Sequence, residues 1–149
     1  MNIIDPASAV LDQKGHEIFC ISPETTVFDA IQMMNEKNVG SLLVMKDSQL
    51  IGIVSERDYT RKVILKGRAS KDTKVSDIMV SPPRTVGPSN TVEDCMRIMT
   101  IERVRHLPVV DNGKVVGVLS IGNLVNWIIS AQSAQISQLQ NYMAGQYPG

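Results

Sequence analysis

Ser55 and Asp58 stand three residues apart directly behind an apolar run, and Ser120 and Asn123 repeat the spacing later in the chain. A hydroxyl followed three positions on by an acid or amide, just after a strand-like run, reads as a helix N-terminus. The unpaired N–H groups and positive dipole end of such a terminus attract anions. A carboxylate beside it can accept both hydroxyls of a ribose, each charge-assisted bond contributing about 1.5–3 kcal/mol. The competing reading is local: Ser55 caps the helix and Asp58 complements its dipole. Asn123 offers a neutral amide at the matching position, and so a weaker hold on a sugar.

Both pairs belong to an internal repeat. The stretch Gly52-Ile53-Val54-Ser55-Glu56-Arg57-Asp58 returns as Gly117-Val118-Leu119-Ser120-Ile121-Gly122-Asn123. The same shift carries Pro23 onto Pro88, Thr26 onto Thr91, Asp29 onto Asp94, Met34 onto Met99 and Val44 onto Val109. Two copies predict a duplicated unit with a pseudo-twofold axis and paired clefts, not a solenoid.

The elements that must position these residues follow from periodicity. In the first copy a strand is expected over Glu17 to Ile21 and a helix from Thr26, with Val27, Ala30, Ile31 and Met34 at i, i+3, i+4 and i+7. A hairpin pattern follows, Ser41 to Met45 and Leu50 to Val54, then a helix from Ser55 to Gly67. The second copy repeats this with a short strand Arg84 to Val86, a helix from Thr91, a hairpin across Asp111-Asn112-Gly113, and a helix from Ser120 through Trp127. The fold class is α/β in the broad sense, more narrowly α+β: two β-α-β-β-α repeats. The expected organisation is a lead-in helix in residues 1–13, a first repeat 14–67, a polar linker 68–81 holding the apolar stretch Val75 to Met79, a second repeat 82–130, and a helical tail 131–149 rich in Gln, Ser and Asn. A unit of roughly 60 residues is too small to bury its own faces, so the copies are expected to pack together.

Composition narrows the function classes. Lysine and arginine number 15, as do aspartate and glutamate, so net charge argues for neither nucleic acid nor a membrane surface. Cys20 and Cys95 each sit in an apolar run and read as small buried hydrophobes in a reducing compartment. The start of the chain lacks a signal-peptide pattern and no stretch is long enough to span a bilayer, which predicts a cytoplasmic protein. The methionines fall largely on helix core positions, and two distant histidines with two apolar cysteines make no zinc set, so no metal is expected.

The repeat resembles a tandem pair of CBS domains, on Ile21-Ser22-Pro23, Gly52-Ile53-Val54-Ser55-x-x-Asp58, Arg105-His106-Leu107-Pro108-Val109-Val110 and Gly117-Val118-Leu119-Ser120. The resemblance covers the chain from about Lys14 to about Ile129. It implies a sensor of adenosine-containing ligands (AMP, ADP, ATP, S-adenosylmethionine, NAD(H)) that dimerises. It places adenine by Ile53, Pro83, Arg84 and Thr85, the sugar on Ser55 and Asp58, and the phosphate on Arg105 and His106, with Arg103 and Arg57 in reach. For Arg57 and Arg103 the competing reading is a solvated cation, and for His106 a hydrogen-bonded core histidine. The related cleft would use Ser120, Asn123, Lys14, Ile18, Phe19, Gly40 and Ser41. Asn123 departs from the family's aspartate, and Arg103, Arg105 and His106 map back onto uncharged Asn38, Gly40 and Ser41. An asymmetric module is expected, with the Asp58 cleft the tighter one.

The leading expectation is a non-catalytic regulatory module that binds an adenine nucleotide in the clefts between its repeats and signals by a conformational or assembly change. The alternative is a nucleic-acid-associated regulator using the basic stretch Arg57 to Lys74, against which stand the neutral net charge and the lack of interleaved aromatics. No nucleophile with a paired base, Walker loop or dinucleotide fingerprint supports an enzyme. A homodimer is expected from the resemblance and from Trp127, Ile128, Ile129, Leu139 and Tyr142, although that segment could equally fold back on its own chain. The regulated protein partner is not specified by the sequence.

Overall fold

The computed structural model describes residues 2–144. In chain order its elements are α1 (Ala7–Lys14), β1 (Cys20–Ile21), α2 (Val27–Lys37), β2 (Ser41–Lys46), β3 (Gln49–Ser55), α3 (Glu56–Tyr59), α4 (Val92–Glu102), β4 (His106–Asp111), β5 (Lys114–Ser120) and α5 (Ile121–Met143). Two units emerge: one is Glu17–Thr85, the other joins residues 2–16 to residues 86–144.

In the Glu17–Thr85 unit, β2 and β3 pair antiparallel with Leu42 opposite Val54 and Leu43 opposite Ile53, and β1 adds in parallel beside β2. Thr26 caps α2 by accepting the Asp29 N–H at 3.2 Å. The helix presents Val27, Ala30 and Met34 to the same core as Leu42, Val44 and Val54. Fully burying each large side chain contributes about 1.5–3 kcal/mol. Val63, Val75 and Ile78 complete the cluster.

The last two come from the segment expected to be a polar linker. Its apolar stretch docks through backbone bonds: the Val27 N–H donates to the Thr73 carbonyl at 2.8 Å, Val75 to Thr25 at 2.8 Å and Ser76 to Pro23 at 3.0 Å. Ile53 and Val80 then exchange both backbone bonds, at 3.1 and 2.9 Å. Gly52 permits this approach, since a Cβ there would lie 2.7 Å from Met79 Sδ and 3.0 Å from the Val80 carbonyl oxygen.

In the second unit the lead-in segment does the same work for the second repeat. The Val92 N–H donates to the Asp5 carbonyl at 2.9 Å, Ala7 to Asn90 at 2.7 Å and Ser8 to Pro88 at 3.0 Å. Leu11 lies over Gly117, where a Cβ would meet its Cδ2 at 2.6 Å. Each repeat is therefore closed by the segment that precedes the other repeat. The core here is Val10, Leu11, Val92, Cys95, Met99, Leu107, Val109, Leu119, Leu124 and Trp127 with Ala7 and Val86. Burial pushes the Cys95 thiol up to about 11.

Several expectations need correction. Glu17 to Ile21 yields only the two-residue strand β1, and Cys20 on it is exposed, not buried, because β1 is an edge strand with that side chain turned outward. Arg84 to Val86 is not a strand. Val86 alone bridges Val109 in parallel, and the prolines before and after it cannot donate to a ladder. The helix after Ser55 is α-helical only over Glu56–Tyr59 and continues as a π-helix over Thr60–Ile64, where the Leu65 N–H reaches the Thr60 carbonyl at 3.0 Å. Trp127 is not exposed apolar surface: it is buried in its own unit, and its Nε1–H donates to the Asn2 carbonyl and to Asp5 Oδ2, both at 3.2 Å. Helix α5 runs on to Met143, and every described residue past Ala131 is exposed. Residues 145–149 of the expected tail lie outside the described residues.

Candidate functional site

β3 ends at Ser55, and the chain turns from extended backbone into α3 with a complete capping box. Asp58 Oδ2 accepts the Ser55 N–H at 2.9 Å and the Ser55 hydroxyl at 3.0 Å, while the Asp58 N–H donates to Ser55 Oγ at 3.3 Å. Asp58 Oδ1 faces Lys62 Nζ at 3.1 Å, and Lys62 also donates to the Ile78 carbonyl at 2.8 Å. The carboxylate side chain is only 13% exposed, so the two oxygens are differentiated: one is committed to the cap, the other to a cation. This geometry is the local reading of the Ser55–Asp58 spacing: Ser55 caps the helix and Asp58 completes the box. A bound diol would have to share Oδ1 with Lys62.

The sequence reading passed over Lys62 as a site residue, although its i+4 spacing from Asp58 is the signal that finds it. Glu56 and Asp58 together place two acids in the first turn of a four-residue helix. That arrangement suits hydroxyl donors better than a phosphate, because the acids already offset the positive end of the helix.

The matching junction in the other unit has the same form with less charge. Asn123 Oδ1 accepts the Ser120 N–H at 2.8 Å, and the Asn123 N–H donates to Ser120 Oγ at 3.2 Å. The amide replaces the carboxylate as a cap almost atom for atom, but without its charge.

Each remaining candidate falls within one unit. Ile53, buried on β3, lies beside the Val80–Ser81 backbone, with Pro83, Arg84 and Thr85 following directly along the chain. Ser41 stands opposite Ser55 in the β2–β3 register, and the Gly40 carbonyl accepts the Glu56 N–H at 3.1 Å. Arg57 is half-buried on the first turn of α3. Ile18 and Phe19 precede β1; Ile18 is exposed, and Lys37 Nζ lies 5.6 Å from the Phe19 ring centroid.

In the other unit, His106 stands opposite Ser120, and the Arg105 carbonyl accepts the Ile121 N–H at 2.9 Å. Arg103 is the C-cap of α4 in the left-handed conformation (φ 55°), matching Asn38 after α2 (φ 55°). Lys14 ends α1. The register thus groups Gly40 and Ser41 with Ser55 and Asp58 in one unit, and Arg105 and His106 with Ser120 and Asn123 in the other.

Three of the seven basic side chains in the stretch Arg57 to Lys74 are engaged within their own unit. Lys62 holds Asp58, Arg68 Nη2 meets Asp77 Oδ2 at 3.4 Å, and Lys71 Nζ lies 4.8 Å from the Phe28 ring centroid. Among the described residues no group of three or more His, Cys, Asp or Glu is placed to hold a metal, and no helix is long and apolar enough to cross a membrane.

Two repeats of the β-α-β-β-α type, the first strand of the second reduced to the Val86–Val109 bridge, each open their last helix with a Ser-x-x-Asp or Ser-x-x-Asn box, and together they define a paired-domain fold. The chain belongs to the CBS domain family, whose model matches residues 14–64 and 75–130. It is 39% identical over 138 residues to the mitochondrial CBS domain-containing protein CBSX3 of Arabidopsis thaliana, covering 89% of this chain and 66% of that protein. The crystal structure of the CBS domain NE2398 superposes with a TM-score of 0.80 at 49% identity, covering 84% of this chain and 98% of that one. A hexameric CBS-CP12 protein from bloom-forming cyanobacteria superposes with a TM-score of 0.75 at 28% identity, covering 84% and 72%. CBS domains generally bind adenosine nucleotides as regulatory modules and are typically non-catalytic, and this chain is a pair of such domains.

Proposed function

We propose that this domain pair binds an adenosine-containing nucleotide (AMP, ADP, ATP or NAD(H)) and signals by a change in conformation or assembly. The observation that carries the reading is Asp58: a nearly buried carboxylate at the end of the strand that holds buried Ile53, with Oδ1 paired to a lysine ammonium. A ribose diol replaces the ammonium as hydrogen-bond donor, and Ile53 supplies apolar surface for the base. Arg57 is the cation assigned to the phosphate in this unit. Arg103, Arg105 and His106 keep the phosphate role as a separate assignment.

Ligand-driven signalling follows from population shift, with coupling no larger than the differential affinity for the two states. The same reading takes the protein to be a cytoplasmic homodimer acting on a further protein. Calorimetry with AMP and with adenosine tests it. Asp58→Asn should weaken both ligands about 10-fold or more, the equivalent of one charge-assisted bond. Arg105→Ala should weaken AMP alone, and Asn123→Ala should change the tighter event little. Equal losses from Asp58→Asn and Asn123→Ala would defeat the asymmetry, and unchanged affinity in Asp58→Asn would defeat the sugar assignment.

A further inference from the structure

We propose that the end of α5 is a parallel, in-register pairing seam for the α5 of a second copy; this deepens the dimer reading above and rests on it. The face of α5 that packs into its own unit carries Leu124, Trp127 and Ala131. Turned about one third of the way around the helix is a second apolar stripe: Val125, Ile129, Gln132, Ile136, Leu139 and Met143. The spacing alternates four and three residues, the repeat of a two-stranded coiled-coil seam. The apolar members are exposed, from 41% at Val125 to 79% at Met143.

Two observations select a second copy as the occupant. Residues Ile121–Met143 contain no charged side chain, so the helix lacks the lysines and arginines of a membrane-surface helix and the flanking charges that choose an unlike partner. A helix identical to itself meets no repulsion across such a seam. Second, the part beyond Ala131 is about twelve residues of Ser, Gln, Asn and a few apolar side chains with no buried member, a length at which an isolated helix in water is marginal. The docked half supplies the nucleus, so what a partner's apolar contact adds is protection of the exposed half against fraying. Gln132, the one polar residue of the stripe, pairs with its counterpart only in the parallel, unshifted register, and so specifies it. About two heptads fall short of the roughly 1,200 Å² of a standard interface, so the seam orients a dimer that other surfaces also hold.

The test uses the full chain with Cys20→Ser to remove the exposed thiol. Ile136→Cys puts a thiol on the seam and Ser137→Cys puts one on the far side of the same turn. Under mild oxidation the Ile136→Cys protein should form a disulfide-linked dimer within minutes and Ser137→Cys should form at least tenfold less, since facing core positions of a parallel pair fall within disulfide reach. Ile136→Glu should weaken self-association at least tenfold by sedimentation equilibrium. A dimeric protein in which the two cysteine variants cross-link alike, or in which Ile136→Glu associates as before, overturns the seam and leaves the dimer reading standing. A protein monomeric at all concentrations overturns both.

Discussion

Lys62 Nζ bridges Asp58 Oδ1 at 3.1 Å and the Ile78 carbonyl at 2.8 Å, so one ammonium joins the acid of the cap to the segment that closes the repeat. The lysine side chain is 43% exposed, so the ion pair itself contributes only about 0.3–0.5 kcal/mol. The bond to the carbonyl adds to this. Lys62→Met should lower the stability of the unit by about 0.5–1.5 kcal/mol, read as a fall in the urea midpoint at constant slope. An unchanged midpoint would show that the bridge holds nothing.

Asp58→Asn should leave the fold almost intact. Asn123 already performs the same capping with its Oδ1 at 2.8 Å from the Ser120 nitrogen. The substitution should therefore cost less than Asp58→Ala, which removes the side-chain half of the box and should cost about 1 kcal/mol. Thermal melts of the two variants side by side separate a capping defect from a ligand defect.

The two strand glycines should respond differently to a methyl group. At Gly117 the obstacle is the end of the Leu11 side chain, which can shift. At Gly52 the Val80 carbonyl oxygen stands at 3.0 Å as well as Met79 Sδ at 2.7 Å, and backbone cannot turn aside. Gly52→Ala should cost about 1–3 kcal/mol and Gly117→Ala less. The reverse order by denaturant titration would contradict the packing.

Ser48 holds φ 63° in the β2–β3 turn, where Gly113 holds φ 79° in the β4–β5 turn. A left-handed residue with a Cβ is strained where glycine is not. Ser48→Gly should raise stability by about 0.5–1 kcal/mol, visible as a melting temperature higher by roughly 1–4 °C.

His16 receives its raised pKa first from the hydrogen bond with the Val116 carbonyl at 2.9 Å and then from Asp12 at 2.9 Å. Its stabilising contribution is fully present below its unfolded value of about 6.5 and fades as pH rises through the higher folded value. In NMR titration the His16 ring should titrate above 6.5, and His16→Gln should remove that part of the pH dependence of unfolding. A midpoint at or below 6.5 refutes the bond.

The boxes at Ser55 and Ser120, the hairpins and the core faces of α2 and α4 were all legible in the sequence, because each rests on local spacing. The closing segments were not. Val75, Ile78 and Met79 match Ala7, Val10 and Leu11 in role, Met79 over Gly52 as Leu11 over Gly117, but three positions out of step with the repeat. A comparison at a fixed shift cannot align them. The π-helix after Tyr59 and the exposure of Cys20 also escaped, since neither leaves a periodic mark. At the candidate site the sequence named Asp58, yet it could not show that Lys62 already holds one of its oxygens.

The crossed closure of the repeats bears on how such a chain could be cut. Fragments divided at the repeat border, near Gly67, would each carry a strap fitted to the other and lack the one fitted to themselves. Neither piece should fold in isolation, whereas an equimolar mixture has every strap it needs. Severing the chain there should thus produce two halves that complement each other, and a gene for one repeat alone would have had to find its strap on a sister molecule.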